Sequence, residues 1–151
     1  MKDVGDLAGT ESAIESQRND FTLVGRELGR GSMALTHFFG RPQNILMACN
    51  AEQRERYLLP AVRGERMDAL AMTEPEAGSD LRGVRTAAVR DGDHWVINGS
   101  KMWMTNAAEA GIMIVLVRTG DERLSHLIVP TDTPGITFGA PEKKMGLHGS
   151  H

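Results

Sequence analysis

Leu70-Ala-Met-Thr-Glu-Pro-Glu-Ala-Gly-Ser-Asp80, followed by Lys101-Met-Trp-Met-Thr-Asn106, decides how this chain reads. The first run has the pattern of a short strand that stops at a Thr-Glu-Pro corner and opens into a Gly-Ser-Asp turn. The second alternates like a strand. Pleating then puts Lys101, Trp103 and Thr105 on one face and Met102, Met104 and Asn106 on the other. An indole and a hydroxyl pointing the same way suit a planar ligand with a polar edge, and flavin is such a ligand.

The spacing around this stretch changes near residue 68. Before it the pattern is helical. Phe21, Val24 and Leu28, then Met33, Leu35 and Phe38, recur at three- and four-residue steps, with Gly29 and Gly31 loosening the middle. Pro42 is suited to start a helix over 43–49. Asn50 with Gln53 reads as a capping box opening a helix over 51–59, with Gly64 as its stop and Leu58, Leu59 and Val62 as its buried contacts.

Beyond residue 68 the chain reads as strands and turns. Strands over 86–90 and 94–98 flank the hairpin signal Asp91-Gly92-Asp93. Asn98-Gly99 turns into a strand over 100–107. A buried-type strand over 111–118 and another over 125–130 follow, and Asp132-Thr-Pro-Gly135 leads into a strand over 136–138. Helices first and strands after predict an α+β fold, a helical N-terminal segment followed by a small antiparallel β-barrel or sandwich. The boundary falls between 1–67 and 68–151.

Bulk properties narrow the function. The 151 residues are 40% hydrophobic and 25% charged, a globular composition. A net charge of -3 offers no general attraction to nucleic acid. A single cysteine, Cys49, forms no internal disulfide. The longest apolar run, 112–117, is too short to span a bilayer, and residues 1–20 carry neither an apolar signal core nor an Arg-rich transit pattern. A soluble, cytoplasmic protein is expected.

The order and spacing of several motifs resemble the acyl-CoA dehydrogenase family. They are the 71–80 run, Gly92-Asp93 and Asn98-Gly99-Ser100-Lys101-Met102-Trp103-Met104-Thr105-Asn106. The approach fits as well: Glu27-Leu28-Gly29-Arg30, Gln53-Arg54-Glu55-Arg56-Tyr57-Leu58-Leu59-Pro60 and Gly64-Glu65 resemble the helical segment before that family's middle β domain. Asp132-Thr-Pro-Gly135 and Lys144-Met145-Gly146 also match, while Met104 stands where the family often has isoleucine, a volume-conserving swap. Compared with that family, the chain reads as a fragment truncated at both ends, with the C-terminal helical bundle missing.

The resemblance implies FAD as cofactor and α,β-dehydrogenation of an acyl-CoA thioester. A carboxylate removes the α-proton while hydride leaves the β-carbon for flavin N5, and an electron-transferring flavoprotein reoxidises the enzyme. It implies a homo-oligomer, dimer or tetramer, in the full-length protein. At the flavin it places Met72, Thr73, Trp103, Met104 and Thr105. It places Gly78 and Ser79 at the FAD diphosphate, with Ser79 also reaching the acyl-CoA. Consecutive N–H groups beside a glycine and a hydroxyl have the chemistry of an anion cradle. Apart from the resemblance, β-branched threonines simply suit strands, a strand tryptophan is usually core, and Gly-Ser turns are common.

The other polar residues read as structural. Asp80 fixes its turn by accepting backbone N–H groups. Glu74 and Glu76 flank a proline on an exposed corner and are not expected to be a catalytic pair; the family's base belongs to the missing bundle, so no catalytic residue is assigned. His148 and His151 are solvated rather than a metal site, His37, His94 and His126 are isolated, and no metal is expected. Trp95 reads as core, Cys49 as a buried thiol, and Arg54, Glu55 and Arg56 as a solvated helix face. Two other readings stay open: a flavin-dependent acyl-CoA oxidase or monooxygenase relative, and a non-catalytic binding or remnant fragment.

Overall fold

The computed structural model describes residues 26–31, 42–121 and 123–148. They fall into two compact units, 26–31 with 144–148 and 42–143. In the first, 26–31 is a helix carrying an exposed Arg30–Glu27 ion pair of 3.0 Å. Of the apolar series expected before residue 40, only Leu28 lies within the described residues.

The second unit is built on strand β4. Ile112–Val117 is apolar and mostly β-branched, which suits a strand covered on both faces, and all six residues are buried. Alternation sends Met113, Val115 and Val117 into one cluster with Ala69, Ala71, Ala88 and Ala110. Ile112 and Ile114 face the other way, against Leu46, Tyr57, Leu58 and Ala61. Leu116 packs with Ala77 and Val84. Burying one such leucine or isoleucine contributes about 1.5–3 kcal/mol.

Five strands form one mixed sheet: β1 (Asp68–Ala71), β2 (Ala87–Asp91), β3 (His94–Asn98), β4 (Ile112–Arg118) and β5 (Leu124–Pro130). β1 runs parallel to β4 with Asp68 opposite Ile112 and Ala71 opposite Val115, while β5 pairs β4 antiparallel along its whole length. β2 joins the sheet only at Ala87–Arg118 and continues as an antiparallel hairpin with β3. Among the described residues the sheet is open and partly parallel, which corrects the antiparallel barrel or sandwich. The reason lies in the connection: β1 reaches β4 only through the long segment that carries the β2–β3 hairpin, and a long crossover permits a parallel pair. The coarser expectation, strands with a few helices, stands.

The helical layer differs from its pattern in detail. Asn44–Ala48 is a 3₁₀ helix. The Asn50 capping box is formed, with the Gln53 N–H donating to Asn50 Oδ1 at 2.9 Å and the Asn50 N–H donating to Gln53 Oε1 at 3.1 Å. From there Ala51–Gln53, Arg54–Leu58 and Leu59–Val62 form one run (α1) whose middle is wound as a π turn, the Leu59 N–H donating to the Arg54 carbonyl. That looser turn stands just ahead of Pro60, whose ring crowds the turn before it. Leu58 is buried as expected, but Val62 is exposed because the run ends there, at Arg63 and at Gly64 with φ 73°.

Two expected strands are absent, those over 100–107 and 136–138. Trp95 is not core: on the hairpin it is exposed under the Arg90 guanidinium, beside exposed Val89 and Val96. Cys49 is half-buried, and burial pushes its thiol pKa up against the opposing pull of Arg54. Arg54, Glu55 and Arg56 are exposed, as their pattern predicts. Among the described residues no helix is long and apolar enough to cross a membrane, and no His/Cys/Asp/Glu group could hold a metal ion.

Candidate functional site

Where β1 ends, Met72, Thr73 and Glu74 are each tied to the 101–102 segment. Lys101 Nζ donates to the Met72 carbonyl at 3.0 Å and to Glu74 Oε1 at 2.8 Å. Between them the Met102 N–H donates to the Thr73 carbonyl at 2.9 Å. The Lys101 and Glu74 side chains are only 8% and 6% exposed. Glu74 therefore does not stand on an exposed corner. Its carboxylate turns inward and also accepts the N–H groups of Arg85 at 2.7 Å and Thr86 at 2.9 Å. Burial alone would raise its pKa, but these donors and the Lys101 ammonium outweigh it and hold it at about 2. An acid held ionised so firmly is a poor proton shuttle, which agrees with leaving Glu74 and Glu76 out of catalysis. Glu76 is exposed and paired with Arg85.

Past Lys101 the backbone abandons extended geometry. Trp103 has φ 55° and Asn106 φ 60°, the left-handed region that costs a non-glycine residue on the order of 1 kcal/mol. The expected alternation of Lys101, Trp103 and Thr105 on one strand face is thus overturned: Lys101 points into the protein while Trp103 is 70% exposed. Met104 packs against the cluster beneath β4, Thr105 is half-buried, and buried Asn106 accepts the Ala110 N–H at 2.9 Å through its carbonyl.

On the other side of the Thr-Glu-Pro corner, Glu74 and Ala77 exchange backbone hydrogen bonds, and Asp80 Oδ1 accepts the Arg82 N–H at 3.1 Å, as its turn role predicts. Gly78 and Ser79 lie exposed between them, and a Cβ built on Gly78 would meet no atom within 4 Å. Met72 packs beside Ala77, Val84 and Leu116. So the fold ties Thr73 to the chain segment of Trp103, Met104 and Thr105, whereas no hydrogen bond joins Gly78 or Ser79 to it among the described residues. The Glu74–Lys101 pair is what the sequence reading missed. Its one signal was a pair of opposite charges, each inside a motif that otherwise reads as ligand-facing.

Comparison with known proteins bears on this arrangement. The family description "Acyl-CoA dehydrogenase, middle domain" matches residues 69–151. This chain belongs to the acyl-CoA dehydrogenase family. Benzylmalonyl-CoA dehydrogenase of Aromatoleum aromaticum is 41% identical over 136 residues, which cover 85% of this chain and 36% of that protein. Glutaryl-CoA dehydrogenase from Mycobacterium smegmatis superposes with a TM-score of 0.79 at 36% identity, over 86% of this chain and 35% of the other. An acyl-CoA dehydrogenase from Bacillus anthracis, complexed with FAD, gives a TM-score of 0.64 at 41% identity, over 67% of this chain and 18% of its own. The chain thus spans about a third or less of the length of these relatives.

Proposed function

We propose that this chain supplies one wall of the FAD site of an acyl-CoA dehydrogenase acting on an acyl-CoA thioester. The observation that carries the reading is Trp103: a large aromatic held in a strained backbone conformation with most of its indole uncovered, on a segment tied to Thr73. The residues present fit the cofactor. Thr73 and Thr105 are half-buried and their hydroxyls make no hydrogen bond among the described residues, and the space over Gly78 is open. The family membership and the FAD complex of the Bacillus anthracis relative support the same reading.

When bound, FAD supplies the two-electron acceptor for α,β-dehydrogenation. Trp103 gives the ring a flat neighbour, and the backbone around Met72 and Met104 shapes its pocket. Thr73 and Thr105 donate hydrogen bonds that orient its polar edge and favour the more negative reduced form. Gly78 and Ser79 cradle the diphosphate, with Ser79 also reaching the acyl-CoA. No group of this chain is assigned the base: the resemblance places it in the C-terminal helical bundle, and Glu74, held at about 2 by Lys101 and the Arg85 and Thr86 N–H groups, is too weak a base. The division into 1–67 and 68–151 is kept as part of this proposal. An electron-transferring flavoprotein is the expected acceptor, a homo-oligomer the expected assembly and the cytoplasm the expected compartment.

The test is a titration of the 151-residue chain with FAD followed by indole fluorescence, alongside Trp103→Phe. Saturable quenching, largely lost in the variant although Trp95 remains, is the expected result. Absence of quenching, or quenching that survives the substitution undiminished, refutes the reading.

A further inference from the structure

We propose that the buried Glu74–Lys101 pair is a positioning element: it sets the spacing between Thr73 and the Trp103–Thr105 segment, and through that spacing how tightly the chain holds a flavin. The proposal rests on the flavin reading above and adds residues that reading does not use. Neither side chain is offered as a ligand contact, because both are buried.

The geometry has three parts. First, the ties are consecutive. Met72, Thr73 and Glu74 are each bonded to Lys101 or Met102, so the exit of β1 cannot slide against that segment without breaking a bond. Second, Glu74 is itself fixed from a third direction, by the N–H groups of Arg85 and Thr86 ahead of β2. The pair therefore hangs from two separate stretches of backbone rather than from one flexible turn. Third, the strain lies directly downstream. Trp103, two residues after the anchored lysine, and Asn106, whose carbonyl accepts the Ala110 N–H, each take a left-handed φ. Strained backbone persists only where its surroundings over-determine it. Lys101 and the Met102 N–H are the ties at the near end.

A buried ion pair is weak evidence for stability, since well-packed neutral side chains often replace one at no cost. That property separates positioning from scaffolding. Lys101→Met alone strands the Glu74 charge and can unfold the chain. The double variant Glu74→Gln with Lys101→Met removes both charges and keeps one acceptor oxygen, so one of the Arg85 and Thr86 N–H groups stays paired and the other loses its partner. Two readouts are taken on each folded protein: FAD affinity from indole quenching, and hydrogen exchange at the Met102 amide. The double variant is expected to fold, less stable than wild type by the one unpaired N–H, and to exchange Met102 faster and bind FAD at least about tenfold more weakly, because misplaced binding groups lose their geometry. Lys101→Arg, which keeps the charge and a donor, is expected to recover most of the affinity.

A double variant with wild-type FAD affinity or unchanged Met102 exchange overturns the proposal. So does a double variant that cannot fold, because the pair is then a scaffold element. If the wild-type chain binds no FAD, the flavin reading fails by itself, and Met102 exchange in the double variant then decides whether the pair fixes the segment.

Discussion

Acid should remove a defined part of this protein's stability through one carboxylate. Glu74 has a pKa of about 2 in the fold against an ordinary 4.5. At about 1.36 kcal/mol per pH unit, that difference corresponds to about 3 kcal/mol at neutral pH, an upper bound because neighbouring groups share it. The sign follows from proton binding. As pH falls the unfolded chain takes up the proton first, so the contribution is whole above pH 4.5 and is lost between there and pH 2. Glu74→Gln should remove it at every pH, and should cost about 3–5 kcal/mol at pH 7 because the Lys101 ammonium is left buried without a counter-charge. The assay is urea unfolding of both proteins from pH 7 to pH 2.5. Groups that feel neither Glu74 nor Lys101 cancel in the difference. The stability gap should be constant down to about pH 4.5 and then close. A gap that stays the same down to pH 2.5, or one that is absent at pH 7, would refute the assignment.

Two further substitutions test the scaffold. A Cβ on Gly99 would lie 2.7 Å from Thr86 Cα and press against Thr86 Oγ1, and backbone cannot give way there as a side-chain tip could. Gly99→Ala should therefore lower stability in urea by about 1–3 kcal/mol, and a neutral result would show that the 86–99 approach is looser than described. Asn50→Ala removes the capping acceptor for the Gln53 N–H and should cost about 1 kcal/mol, seen as a lower melting temperature with no change in flavin quenching.

How much of this was legible beforehand depended on how local each signal was. The capping box, the Asp91-Gly92-Asp93 hairpin and the six-residue apolar run of β4 are written in neighbouring residues, and the fold uses them as written. The alternation of Lys101 through Asn106 is just as local, yet it misled. Two side-chain bonds from Lys101 and the Met102–Thr73 hydrogen bond join residues far apart in sequence, and they hold Trp103 out of a strand. Glu74 misled for the same reason: next to a proline it reads as solvent-facing, and only partners at 85, 86 and 101 show why it is buried. Parallel pairing of β1 with β4 was beyond reach, since no local pattern encodes which strands meet across a long connection. At the candidate site, the motif residues were legible one by one, but the pair beneath them was not.

Strand β4 gives the protein two mutational compartments on a single ribbon. Changes at Ile112 or Ile114 are felt by Leu46, Leu58 and the helical layer; changes at Met113, Val115 or Val117 are felt by the alanine-rich layer that supports Met104. From Ile112 to Val115, whether a residue number on this strand is even or odd therefore foretells which cluster a substitution disturbs, whereas Leu116 packs with Ala77 and Val84.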